Sequence, residues 1–157
     1  MPYTASYSLR VRSYELDIYG HVNNAVYMNW LEHGRSQLLQ DKGFNYVSIA
    51  EAWDVRLVTV ATTINFKAQL GLDDEIEVRT CVKRMGNSSV VFDQKIVRLL
   101  HTSAAAAPRR GKSPRGGKAA SLKEEIIAAD CETTICFTDP AMKGSKPIPA
   151  EFRKLYG

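Results

Sequence analysis

Asp17-Ile18-Tyr19-Gly20-His21-Val22-Asn23-Asn24, running directly into a helix-like pattern, is the stretch whose reading decides this chain. Within eight residues it offers a carboxylate, an imidazole, a flexible glycine and two asparagines suited to helix capping. Such a set can place an acid or base beside a helix N-terminus, where backbone N–H groups favour developing negative charge. Chemistry on a carbonyl or phosphoryl group is the reading that follows.

Downstream, Val26, Tyr27, Trp30, Leu31, Gly34, Leu38 and Leu39 recur at three- and four-residue spacing. That predicts a long amphipathic helix ending near Asp41 or Lys42, capped at its start by Asn23 or Asn24 and stopped by Gly43. Gly34 falls on the apolar face, where glycine costs about 1 kcal/mol relative to alanine. Close approach of another backbone would offset that cost.

Upstream, Tyr7 to Tyr14 alternate in the manner of a half-buried strand. Four more strands are expected at Val55–Lys67, Glu75–Arg84, Ser88–Leu100 and Ile126–Thr138. The turns between them read as Leu70-Gly71-Leu72-Asp73-Asp74 and Met85-Gly86-Asn87. The stretch Pro147–Tyr156 suits a short terminal helical turn. Strand, long helix, then four strands describes an α+β domain with an antiparallel sheet packed on one principal helix.

The 157 residues fit a single domain, 45% hydrophobic and 24% charged, as in ordinary globular proteins. Residues 101–125 interrupt it with an Ala/Pro/Gly/Arg/Lys insertion that buries too little apolar surface to order itself, so a mobile loop is expected. Six basic residues there face two acidic ones, so the insertion carries the whole net charge of +4. The rest is neutral, which argues against a nucleic-acid partner; no aromatic residues are interleaved for base stacking. A solvated loop is the first reading of the insertion, and a phosphate-attracting arm the second. No run of about 18 apolar residues is present to span a membrane. Met1-Pro2-Tyr3-Thr4 lacks the character of a secretory signal, and Cys81, Cys131 and Cys136 lack CxxC spacing. These features suit reduced thiols in a cytoplasmic protein.

The pattern Asp17-x-x-Gly20-His21-Val22-Asn23-Asn24-x-x-Tyr27-x-x-Trp30-x-Glu32-x-x-Arg35 resembles the signature of hotdog-fold acyl thioesterases. The likeness is to the 4-hydroxybenzoyl-CoA thioesterase-like group and to plant acyl-ACP and acyl-lipid thioesterases, over residues 7–100 and 126–138. The benzoyl-CoA members carry apolar or aromatic residues where this chain has His21 to Asn24. The plant enzymes share His-Val-Asn-Asn but have asparagine in place of Tyr19.

What the resemblance implies is a curved antiparallel sheet wrapped around one long central helix, in homodimers or homotetramers with sites at the dimer interface. It also implies hydrolysis of an acyl-CoA thioester. Asp17 would be nucleophile or general base, with amides around Asn24 to Tyr27 polarising the carbonyl. No metal or redox cofactor is required, because a thiolate already leaves well. His21 is a candidate for orienting substrate or tuning Asp17. Asn23 and Asn24 serve as caps that aim the amides, and Tyr27 borders the acyl pocket. Lys83, Arg84 and Ser88, in the turn Lys83–Ser89, would meet coenzyme A phosphates, since the family's strand ends run near that group. Glu32 competes as a carboxylate but lies over two turns into the helix, and reads as a surface group paired with Arg35. The alternatives are an acyl-ACP thioesterase and a non-catalytic acyl-thioester-binding protein.

Overall fold

The computed structural model describes residues 4–101 and 122–157. The mobile-loop expectation for the basic insertion therefore falls largely outside the described residues. Its edges are corrected: His101 ends one strand and Leu122–Glu125 begin the next.

Five strands form one antiparallel sheet: β1 (Thr4–Arg10), β2 (Arg56–Phe66), β3 (Glu75–Met85), β4 (Ser89–His101) and β5 (Leu122–Thr138). Their order is β1-β3-β4-β5-β2. Three helices accompany them: α1 (Asn24–Gln40), α2 (Tyr46–Trp53) and α3 (Ala150–Tyr156).

β1 begins and ends earlier than the alternation suggests. It pairs from Thr4↔Cys81 to Arg10↔Glu75, and β3 starts at Glu75, so residues beyond Arg10 have no partner strand. Val11 still exchanges backbone bonds with Asp73 and Asp74. The chain then closes a 3-10 turn over Ser13–Glu15.

α1 starts where the asparagines place it. Asn23 is the N-cap, its side chain accepting the Ala25 N–H at 2.9 Å. Gly43 follows the helix with φ +81°, the left-handed stop. Helix α2 went unread in the sequence, yet its signal is there: the Asn45 side chain accepts the Val47 and Ser48 amides, and Ser48 Oγ accepts the Asn45 N–H at 2.8 Å. α3 exceeds a single turn because Phe152 and Tyr156 are fully buried, and the Tyr156 hydroxyl donates to the Leu39 carbonyl at 2.9 Å.

The core is two apolar clusters. One gathers Leu38, Leu39, Val82, Phe92, Ile135 and Phe137 with α3. The other gathers Tyr27, Leu31, Val78, Ile96 and Cys131 around the start of α1. Each inward-facing row carries one polar residue between them: Thr80 on β3, Gln94 on β4 and Thr133 on β5, all fully buried. Gln94 Nε2 donates to the Leu31 carbonyl at 2.8 Å and to Thr80 Oγ1 at 2.9 Å. Arg35, 4% exposed, donates from Nη1 to Gln94 Oε1 at 2.9 Å and to Thr133 Oγ1 at 3.4 Å. Glu32 is therefore not its partner: Arg35 points into this layer while Glu32 stays exposed on α1.

Gly34 sits above the same layer, and its neighbours are side chains rather than the backbone expected. A Cβ there would lie 2.7 Å from Thr80 Oγ1 and 3.1 Å from both Gln94 Nε2 and Val78 Cγ1. Gly34→Ala would gain about 1 kcal/mol in helix propensity. Overpacking against groups fixed by hydrogen bonds costs about 1–3 kcal/mol. The expected net is about 1 kcal/mol of destabilisation, lowering the melting temperature by about 3 °C in a chain of this size. A rise on thermal unfolding would mean that α1 does not rest on β3 and β4 as described.

Candidate active site

Asp17 stands at the base of a short hairpin closed by the Leu16↔Val22 bridge. Its backbone N–H donates to the His21 carbonyl at 2.7 Å, and its carbonyl accepts the Gly20 N–H at 3.1 Å. Gly20 takes φ +75°, a conformation that side chains resist. Asp17 Oδ1 accepts the Tyr19 and His21 amides at 2.8 and 3.2 Å. This is the local turn role open to any aspartate. It uses only one oxygen; Oδ2 has no hydrogen-bond partner among the described residues.

The start of α1 supplies the electropositive side. Asn23 occupies the Ala25 amide with its side chain and the Val26 amide with its carbonyl, both at 2.9 Å. The N–H of Asn24, the first helical residue, has no acceptor among the described residues. Of the amides from Asn24 to Tyr27, those of Ala25 and Val26 are thus engaged by Asn23, while that of Asn24 is left unbound among the described residues.

Both elements open onto one cavity of about 560 Å³. Of the residues singled out in the sequence, it brings together Asp17, His21, Asn23, Asn24 and Tyr27. The opposite wall comes from the end of β2 and the segment after it: Phe66, Lys67, Gln69 and Leu70. The end of the strand expected at Val55–Lys67 thus supplies part of the site through Phe66 and Lys67, whereas nothing in the sequence singles out Gln69 and Leu70, some fifty positions from Asp17. The Val22 N–H donates to the Leu70 carbonyl at 2.9 Å and fastens the two walls together. Tyr27 packs edge-on against Phe66, ring centres 5.0 Å apart. Burial, with Asp74 and Cys131 adding to it, pushes the Tyr27 phenol up to about 12, so it is neutral at working pH. The Lys67 ammonium is engaged by Asp130.

Lys83, Arg84 and Ser88 stand elsewhere. Lys83 and Arg84 lie near the end of β3 and Ser88 just before β4, at the opposite end of the strand that starts beside the Asp17 hairpin. Eight residues of strand put Lys83 about 26 Å from Glu75. Lys83 is paired with Glu132 on the outer face of the sheet. Within one chain these residues do not line the cavity. Glu32 borders a separate recess with Tyr46, Arg56 and Met142.

Among the described residues, no group of three or more His, Cys, Asp or Glu is placed to hold a metal ion. Cys81, Cys131 and Cys136 are all free thiols. Burial, followed by the charges of Asp130 and Asp93, pushes Cys131 up to about 12. Among the described residues, no helix is long and apolar enough to cross a membrane.

A five-stranded antiparallel sheet packed on one long helix is the hotdog arrangement. The chain belongs to the Thioesterase-like superfamily, whose family model matches residues 11–155. It is 34% identical over 91 residues to the chloroplastic acyl-acyl carrier protein thioesterase ATL3 of Arabidopsis thaliana, covering 58% of this chain and 47% of that protein. It is 30% identical over 89 residues to the long-chain acyl-CoA thioesterase FadM of Escherichia coli, covering 56% and 65%. The chain thus spans about half the length of the plant relatives it matches. The solved structure of 4-hydroxybenzoyl CoA thioesterase superposes with a TM-score of 0.76 at 14% identity, covering 98% of this chain and 99% of that one.

Proposed function

We propose that this chain is an acyl-CoA thioesterase, releasing free acid and thiol from an acyl thioester, with Asp17 as the reactive carboxylate. One observation carries the reading: Asp17, with an unbound carboxylate oxygen, and Asn24, with an unbound helix N-terminal amide, line the same cavity. In the general-base route Asp17 takes a proton from water, and the hydroxide adds to the thioester carbonyl. The Asn24 amide and the helix dipole stabilise the oxyanion, which collapses to expel the thiolate. In the nucleophilic route the Asp17 oxygen adds instead, and water hydrolyses the resulting anhydride. His21, at the cavity wall, orients substrate, and Tyr27 with Phe66 contacts the acyl group.

Relatives named for acyl-acyl carrier protein and for long-chain acyl-CoA support both carriers as substrates. The chain forms one domain, its sheet wrapped around α1. A second copy pairs with it along β2. That strand is 11 residues long, pairs among the described residues only with β5, and carries exposed Val60 and Phe66; such an edge invites pairing. A partner across it would bring further residues toward Phe66 and the cavity, and Lys83, Arg84 and Ser88 remain candidates for coenzyme A phosphates there. Free thiols suit a reducing, cytoplasmic setting.

The test is release of free thiol from short-chain, long-chain and aromatic acyl-CoAs and from an acyl carrier protein thioester. Turnover with at least one of them is expected. Saturable binding with no thiol released from any would leave the non-catalytic binding protein as the correct reading.

A further inference from the structure

Glu15 is 6% exposed, lies two residues before Asp17, and is bonded to both halves of the candidate site. Its Oε1 accepts the Trp30 indole N–H at 3.1 Å, and its Oε2 accepts the Arg12 backbone N–H at 2.8 Å. The Arg12 guanidinium stands 3.7 Å from Oε1. The Glu15 carbonyl accepts the Asn23 N–H at 2.9 Å, one residue before the free amide of Asn24. Trp30 lies in the second turn of α1, and its own carbonyl accepts the Tyr7 hydroxyl at 2.8 Å. One side chain and one carbonyl thereby join the Asp17 hairpin to the helix in two places.

Among the described residues, little else holds that hairpin from outside. Its tip residues Ile18 and Tyr19 are 91% and 77% exposed. The hairpin is fixed from its base, through Glu15, Val22 and Leu70. Burying a carboxylate is costly unless its lone pairs are met. Here they are met by one donor on α1 and one on the segment before the hairpin.

We infer that Glu15 is a positioning residue for thioester hydrolysis. It sets the separation between Asp17 Oδ2 and the Asn24 amide by anchoring Trp30 and Asn23. The inference rests on the proposed role of Asp17. A displacement of about 1 Å in such a pair can cost about 100-fold in rate. Glu15 does not line the cavity, so binding should be spared.

Glu15→Gln preserves shape but can accept from only one of Trp30 and Arg12. It should lower kcat about 100-fold with KM unchanged. Trp30→Phe removes the donor and keeps an aromatic ring, and should produce a similar fall. The double variant should be no slower than either single one, because both break the same link. In a Trp53→Phe background, Trp30 emission should shift on Glu15→Gln. Wild-type kcat in Glu15→Gln, or losses that multiply in the double variant, would overturn the inference. If Glu15→Gln does not fold, Trp30→Phe decides alone, and wild-type kcat there overturns it equally. Asp17→Asn assayed alongside separates the two levels. Activity in that variant refutes the hydrolytic role of Asp17 itself, whereas its inactivity beside a fully active Glu15→Gln refutes only the positioning role.

Discussion

Asp17→Asn should lower kcat by roughly 100- to 10,000-fold, the range for loss of a positioned general acid or base, and leave the fold intact. The hydrogen bonds explain why both halves of that result are expected. Asparagine keeps an oxygen at Oδ1 to accept the Tyr19 and His21 amides, so the turn survives. Only Oδ2 changes, from an unbound carboxylate oxygen to an amide nitrogen that can neither take a proton nor attack a carbonyl. Alanine would remove both features at once and confuse chemistry with turn stability.

The electrophilic side can be tested in the same assay with Asn24→Pro. Proline is well tolerated at the first helical position, and Asn23 at φ −60° and ψ 136° has the extended backbone that a following proline requires. The change deletes that N–H together with the Asn24 carboxamide, and leaves the Asn23 cap. Loss of a single oxyanion donor costs about 100- to 1,000-fold in kcat. Wild-type thiol release by Asp17→Asn would remove Asp17 from the mechanism. Wild-type release by Asn24→Pro would move the oxyanion site to another group.

Gln94→Leu should be among the most destabilising single changes in the core. The side chain accepts from a buried guanidinium and donates to the Leu31 carbonyl and Thr80. A bond to a charged group is worth about 1.5–3 kcal/mol and each neutral one about 1 kcal/mol, so the expected loss is about 4 kcal/mol. In a chain of this length that lowers the melting temperature by roughly 10 °C. The cost arises mainly from what remains. Arg35 would keep its charge among apolar clusters, with its Nε already unpartnered and no carboxylate bonded to it among the described residues.

The double change Arg35→Met with Gln94→Leu should therefore recover much of the loss, since apolar replacement of a buried polar group with its partner is often neutral or better. Urea unfolding of the four proteins in this cycle measures the coupling. Additive losses would mean that Arg35 and Gln94 do not depend on each other.

The order of elements, the capped start and glycine stop of α1, and the clustering of Asp17, His21, Asn23, Asn24 and Tyr27 were all legible in the sequence. Each rests on interactions spanning a few residues, or on a periodicity that local geometry imposes. The extent of β1 was not, because strand ends depend on where a partner seventy residues away begins. Tertiary structure alone decided the partner of Arg35. A helical spacing of three residues made Glu32 available, but the rotation of α1 turned Arg35 inward to Gln94 and Thr133. It also decided that Phe66 to Leu70 face Asp17 while the Lys83 turn lies at the far end of the sheet. Glu15 looked like one more polar residue in a turn, and only the packing of the hairpin on α1 brings its carboxylate to Trp30. Local chemistry is written in neighbouring residues; which groups meet across the core depends on strand register and helix rotation, and the whole buried surface sets these together.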